Sequence, residues 1–242
     1  MHNTLTNINL APFVIPAKAG ISLILFLFCS LSGTSQTFQG KIKYLYYSDG
    51  FSQNAENHNE ESQWLVSFGK DKFKQHIISG NSALKDFIQV ADVTKNKIHR
   101  YHLNGSAEDL KIKDLASCRD EKKYHNGAFT ITPLTSNGEK TILGHPCKRY
   151  KIVGKVVTAS ETKEITFYCW ATKNLAASEI LKRNALCITY SDPVLFPEID
   201  GIILELLYID ETKKLAHLWK ALEIKPEILP DHEFDIPMGI PN

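Results

Sequence analysis

From residue 38 onward the chain alternates apolar and polar residues with a period of two, a pattern that a strand satisfies and a helix does not. In residues 38–47, Phe38, Gly40, Ile42, Tyr44 and Tyr46 fall on one side, while Gln39, Lys41 and Lys43 fall on the other. Trp64, Val66 and Phe68 repeat the pattern, and residues 73–78 follow after Gly69-Lys70-Asp71. Residues 87–93 and 98–103 flank Lys95-Asn96-Lys97, which reads as a hairpin turn, and Phe129 and Ile131 alternate with threonines until Pro133. Aromatic and β-branched enrichment, with turn residues roughly every ten positions, predicts a mainly β chain built on an antiparallel sheet. Residues 202–209 are apolar on both faces apart from Glu205, as expected of a strand covered on both sides. They form a hairpin with 215–224 across the turn 210–213.

One stretch departs from this period. Residues 174–185 place Ala177, Ile180, Leu181 and Asn184 on one helical face, with Asn174 as the expected N-cap. Residues 48–62 and 104–126 read as polar loops. The end, 226–242, holds Pro226, Pro230, Pro237 and Pro241 and is expected to be an extended, irregular tail. No repeat or linker divides the chain, so one β-rich domain over 37–242 is expected.

The N-terminus supplies an address. Residues 21–29 are an almost unbroken apolar run, preceded by Lys18 and followed by Ser30, Ser32, Gly33, Thr34, Ser35 and Gln36. A short apolar core with one positive flank and a small-residue exit is a secretory signal peptide, here 1–36. The run is about half of the roughly 20 residues a membrane-spanning helix needs, and no later run approaches that length. A buried core helix and a lipid anchor on Cys29 are the alternatives. Export implies a periplasmic or secreted protein in an oxidising compartment. Cys118, Cys147, Cys169 and Cys187 lie beyond the leader, and four thiols allow three pairings. If the runs 147–153 and 164–171 pair symmetrically about Thr158, Cys147 and Cys169 face each other. No C-x-x-C occurs, so neither a zinc ribbon nor a thioredoxin-like site is indicated.

Composition limits the functional classes. Of 242 residues, 43% are hydrophobic and 23% charged, which is ordinary for a globular chain, and a net charge of +1 leaves no basic footprint for nucleic acid. No nucleophile elbow, P-loop, dinucleotide fingerprint or H-E-x-x-H is found, and the nine histidines are scattered. His99 and His102 would point to opposite faces of a strand. The cluster from Asp231 to Asp235 around His232 sits on the expected tail, where catalytic geometry is hard to hold. Glu205, a carboxylate in an apolar strand, needs a partner or a raised pKa and could be functional; a salt bridge to a neighbouring strand, or exposure at a bulge, is the expected answer. No catalytic constellation, metal site or cofactor is predicted.

Two motifs carry a resemblance. Thr141-Ile142-Leu143-Gly144-His145-Pro146-Cys147-Lys148-Arg149-Tyr150 resembles the T-I-x-G-x-x-C-x-x-Y signature of bacterial exported proteins, and Asp200-Gly201-Ile202-Ile203-Leu204-Glu205-Leu206 resembles the second half of the GLPGLI motif. Trp170-Ala171-Thr172 and Phe234-Asp235-Ile236-Pro237 fit the same scheme, although Ile199-Asp200 stands where that motif has Leu-Pro. The resemblance implies a LolA-like (lipoprotein-carrier) architecture, a curved antiparallel half-open barrel with one or two helices against it, and brings no catalytic residues. In such a sheet Trp64, Phe68, Phe87, Trp170 and Trp219 are candidates to line a concave apolar groove, or else to fill the core. The expected function is non-enzymatic binding of a lipid or a lipoprotein acyl chain. The alternative is an interaction module of the cell envelope with a filled core, its partner another envelope protein.

Overall fold

A computed structural model describes residues 37–50, 60–80, 85–105, 109–118, 130–134, 139–157, 162–189, 194–210 and 215–236. The leader expected at 1–36, the turns at 158–161 and 211–214, and the last residues 237–242 lie outside the described residues.

The alternating runs form strands. In chain order they are β1 (Gly40–Gly50), β2 (Glu60–Phe68), β3 (Lys72–Gly80), β4 (Phe87–Asp92), β5 (Lys97–His102), β6 (Lys111–Asp114), β7 (Thr130–Pro133), β8 (Glu139–Ile142), β9 (His145–Val157), β10 (Thr162–Thr172), β11 (Ile202–Asp210) and β12 (Leu215–Pro226). All join one antiparallel sheet in the order β6-β5-β4-β3-β2-β1-β12-β11-β10-β9-β7, with β8 also pairing β9. Its ends, β6 and β7, do not meet among the described residues, so the sheet is open. Both end strands are only four residues long, and β7 stops on Pro133. Short edges closed by proline limit pairing with other chains.

Each face of the sheet carries its own cover. One face holds Ile42, Tyr44, Trp64, Val66, Phe68, Phe73, Ile77, Phe87, Ala91 and Ile98, all buried. Over it lie α2 (Glu179–Arg183) and α3 (Ala185–Ile188), through buried Leu181, Ala185 and Ile188. A further helical turn, α1, occupies 115–118, and Asn96 Oδ1 accepts from the Ala116 amide in its first turn. The opposite face of β4 and β5 presents Ile88, Val90 and Tyr101, covered by Leu229 and Phe234 of the C-terminal segment.

The structure corrects four expectations. First, the helix does not start at Asn174. Leu175 and Ala177 are buried and non-helical, and the Phe38 amide donates to Ala176 O at 2.7 Å. Ser178 is the N-cap: its Oγ accepts from the Leu181 amide and donates to Lys70 O at 2.5 Å. The two contacts fix both the helix start and its seat. Second, the tail is docked. A 3-10 turn, Asp231–Phe234, holds it against β3, because Phe234 has an apolar seat to fill. Third, Cys147 and Cys169 do not pair. The β9/β10 register sets Thr162 opposite Val157 and Cys169 opposite Tyr150, while Cys147 faces Lys140 on β8. The cysteines are therefore three positions out of step and on opposite faces. The disulfide is Cys118–Cys187, with Cα atoms 5.9 Å apart, joining α1 to α3. The polar stretch 104–126 contributes β6 and α1 rather than loop alone.

Both motifs mark turns. Leu143 and Gly144, with φ of 49° and 81°, form the two-residue connection between β8 and β9, a geometry that favours glycine. Gly201 has φ 110°, and a Cβ there would stand 2.0 Å from Thr172 O. Gly201→Ala is expected to destabilise the chain by at least about 2 kcal/mol, read as a lower denaturation midpoint with an unchanged slope. One disulfide also fixes the thiol count of residues 37–242: unreduced, that chain should be two hydrogens light, and its two free thiols, Cys147 and Cys169, should react only after denaturation. Replacing Cys118 and Cys187 by serine should cost about 2–5 kcal/mol, measured by denaturant unfolding.

Candidate ligand-binding face

The helix-bearing face is closed where the sequence places three of its groove residues. Trp64, Phe68 and Phe87 are 5%, 0% and 8% exposed and pack in one core with Leu181, Ala185, Ile188 and Leu195. The indole N–H of Trp64 donates to Ser62 Oγ at 2.9 Å. A polar clasp holds the cover above them. Gln89 Nε2 donates to Ile188 O at 2.5 Å, and Arg100 Nε donates to Gln89 Oε1 at 2.6 Å. With Gln89 fully buried, the clasp satisfies an amide that would otherwise cost stability. These three aromatics fill core.

Across the centre of the sheet the same face differs. Register places Tyr46, Trp219, Leu206, Cys169 and Tyr150 in one row over β1, β12, β11, β10 and β9. The adjacent row reads His217, Tyr208, Phe167, Ile152 and Ile131. Residues two apart on a strand share a face, so the rows form one surface. Leu206, Cys169 and Ile152 are buried and pack with Phe196 and Ile199. Tyr46, Phe167, Tyr208, His217 and Trp219 are only half-buried.

Their rings are in contact. Tyr46 and Trp219 lie 4.4 Å apart between centroids, Tyr208 and His217 5.4 Å, and Phe167 and Tyr208 5.0 Å. The Tyr46 hydroxyl hydrogen-bonds His217 Nδ1 at 2.9 Å, which holds the imidazole parallel to its neighbours. Trp219 Nε1 is buried without a hydrogen-bond partner among the described residues. Of the five sequence candidates only Trp219 belongs to this surface. Tyr46, Phe167, Tyr208 and His217 escape a reading of single strands because register alone gathers them. The alternation placed Tyr46 on the inward side, but nothing local links it to Trp219.

Trp170, opposite Glu205 and Arg149 in register, points away from the Tyr46–Trp219 surface; it packs against the core that holds Trp64 and is already engaged. Lys140 Nζ sits 4.0 Å from its ring centroid, and the Arg149 guanidinium lies 5.0 Å from Trp170 and 4.9 Å from Tyr168. Lys140 also donates to Glu205 at 2.5 Å, so the carboxylate of the apolar strand has its ion pair. A cation between a carboxylate and an indole is held from two sides.

Near Tyr150 the helix-bearing face opens into a cleft of about 310 Å³, with Cys147, Lys148, Tyr150, Lys173 and Asp200 among its lining residues. Burial, then the charge of Asp200 and the nearby Cys169, push the Tyr150 hydroxyl up from its ordinary value. Burial also raises the Cys147 thiol, and pushes Cys169 up to about 12. Neither is a ready thiolate nucleophile. His102 packs edge-on against Phe87 at 5.5 Å, while Asp231 and Glu233 pair with lysines of the sheet. Among the described residues no three His, Cys, Asp or Glu side chains gather as metal ligands.

No protein-family model and no curated protein matches the chain. Solved structures match the chain, at low identity and with TM-scores below 0.5. An uncharacterized conserved protein from Thermus thermophilus has a TM-score of 0.43 at 12% identity, covering 91% of this chain and 95% of that one. A LolA superfamily protein from Nitrosomonas europaea has a TM-score of 0.39 at 8% identity, covering 83% and 91%. A DUF1329 family protein from Desulfovibrio piger has a TM-score of 0.35 at 10% identity, covering 92% and 98%. The structure itself shows the mainly β, open antiparallel sheet with few helices that the sequence predicts.

Proposed function

We propose that the protein is exported and binds an apolar ligand, such as a lipid or a lipoprotein acyl chain, without chemical conversion. The observation that carries this reading is the half-buried aromatic surface of Tyr46, Phe167, Tyr208, His217 and Trp219 on the face that elsewhere forms the core. Contiguous apolar surface left partly open on a folded chain is the form that ligand and partner sites take. The signal-peptide pattern of residues 1–36 and the Cys118–Cys187 disulfide support export to an oxidising compartment. No helix among the described residues is long and apolar enough to cross a membrane.

Binding on such a surface works by excluding water, and its strength scales with the apolar area removed. Each methylene is worth about 0.8 kcal/mol, roughly a fourfold gain in affinity. For a series of saturated fatty acids, the dissociation constant should fall steeply with chain length, read from Trp219 emission or by native mass spectrometry. Trp219→Asp and Phe167→Ser should each weaken binding at least about tenfold with the fold intact, since each sets a polar group against the ligand. Affinity independent of chain length, or a chain that takes up no fatty acid, would show that the surface serves another partner.

A further inference from the structure

The C-terminal segment covers one apolar face, and the groups that hold it are unusual for a surface strap. Leu229 and Phe234 are buried against Ile88, Val90 and Tyr101. Between them Glu233 receives three donors from three different strands. Lys41 Nζ of β1 lies 2.9 Å from one carboxylate oxygen, Ser67 Oγ of β2 donates to the other at 3.3 Å, and Lys74 Nζ of β3 lies 3.7 Å away. Lys74 also donates to the Glu233 main-chain carbonyl at 2.8 Å. Asp231 pairs with Lys72 at 2.9 Å, but its side chain is 92% exposed, so that pair adds little.

Two histidines lie on the same face as the strap. His76 is opposite Ile88 and His99 opposite Val90. His76 Nε2 and His99 Nδ1 are buried and meet no hydrogen-bond partner among the described residues. An imidazolium in either place would hold a charged N–H away from both water and an acceptor. The charges facing them come from every neighbouring element. His76 feels Lys74 on its own strand, opposed by Asp86 ahead of β4 and Glu233 of the strap. His99 feels Lys95 and Lys97, opposed by Asp92. His232 and Asp235, on the strap itself, are exposed.

We propose that residues 227–236 are an acid-released strap, held by ionised Glu233 over neutral His76 and His99, which lifts as these groups take up protons and bares Ile88, Val90 and Tyr101 between Lys41, Lys72 and Lys74. The direction follows from each group. Burial first, then the adjacent lysines, keep both imidazoles below their ordinary value of 6.5. Burial is the larger effect at both rings and outweighs the strap's own Glu233, whose charge favours the imidazolium at His76, so the covered face favours the neutral ring and the hold weakens once pH falls below 6.5. Burial of Glu233 acts to raise its carboxyl, but the Lys41 hydrogen bond, the charges of Lys74 and Lys41, and the Ser67 hydroxyl together bring it below its ordinary 4.5. Its contribution is present above 4.5 and is lost as pH falls through the lowered value. Histidine thus starts the release and the carboxylate completes it.

Hydrogen exchange of the full chain, corrected for the intrinsic rate, tests the proposal. Between about pH 7.5 and about pH 5, the segment 227–236 should lose protection by a clearly resolved factor. Strands β9 and β10 should keep theirs. The double variant His76→Gln, His99→Gln should hold the strap down to the carboxylate range, and Glu233→Gln should loosen it already at neutral pH. Protection that does not change with pH, that is lost together with β9 and β10, or that changes identically in the double variant, would overturn the proposal. Should the double variant fail to fold, imidazole proton shifts of the unaltered chain decide: His76 must titrate in step with loss of strap protection, or the proposal fails.

Discussion

The pairing of the first strand with the last one organises this molecule. β1 and β12 run antiparallel from Gly40 opposite Pro226 to Gly50 opposite Leu215, in the middle of the sheet. To one side β1 to β6 follow in chain order, and to the other side stand β12, β11, β10 and β9. Without that ladder the two halves would expose their inner edges. The bulge between Lys43 and Tyr44 skips Leu222 on β12. It lets Ile42 with Ile224, Tyr44 with Ala221, and Tyr46 with Trp219 all face the same way, as a bulge does when it corrects register. Tyr44 then reaches across β12 to donate its hydroxyl to Ile203 O at 2.8 Å. Such a long-range closure is slow to form, because the chain between must be ordered first.

Two fates for similar residues follow from that frame. Trp64, Phe68 and Phe87 lie under α2, α3 and the segment after them, and they are sealed. Tyr46, Trp219, His217, Tyr208 and Phe167 share the same face and are only partly covered. The Cys118–Cys187 bridge and the Gln89–Ile188 hydrogen bond hold the cover over the first group. On the opposite face of β4 and β5, Phe234 and Leu229 cover Ile88 and Val90, while Trp170 packs against the core of the first group and carries the cations of Lys140 and Arg149.

Much of the strand content was readable because period-two alternation is a local consequence of the pleat. The runs around Tyr44, Val66, Ile88, Ile98, Ile203 and Ala221 all became strands. The hairpin turn at Asn96 was readable for the same reason, and Asn96 has a φ of 57° there. The errors have physical causes. Asn174 was a plausible cap, yet Ser178 won because its hydroxyl also binds Lys70 O, a contact from a distant part of the chain. The prolines around residue 230 signalled irregular backbone correctly but said nothing of Phe234 finding a seat. Cys147 and Cys169 looked paired from a symmetric turn, and a three-residue offset in register separated them.

The sequence by itself determined the class of the fold, through residue alternation and turn chemistry such as that at Asn96, where the backbone takes positive φ. It also marked Glu205 as a carboxylate that an apolar strand must pair, expose or neutralise. The tertiary structure decided which cation, Lys140 of β8, and which aromatics are buried and which lie half-open. It likewise chose the disulfide partners and the docking of the tail. Those outcomes depend on strand order and register, which join residues far apart along the chain, and local patterning carries no information about who the distant neighbour will be.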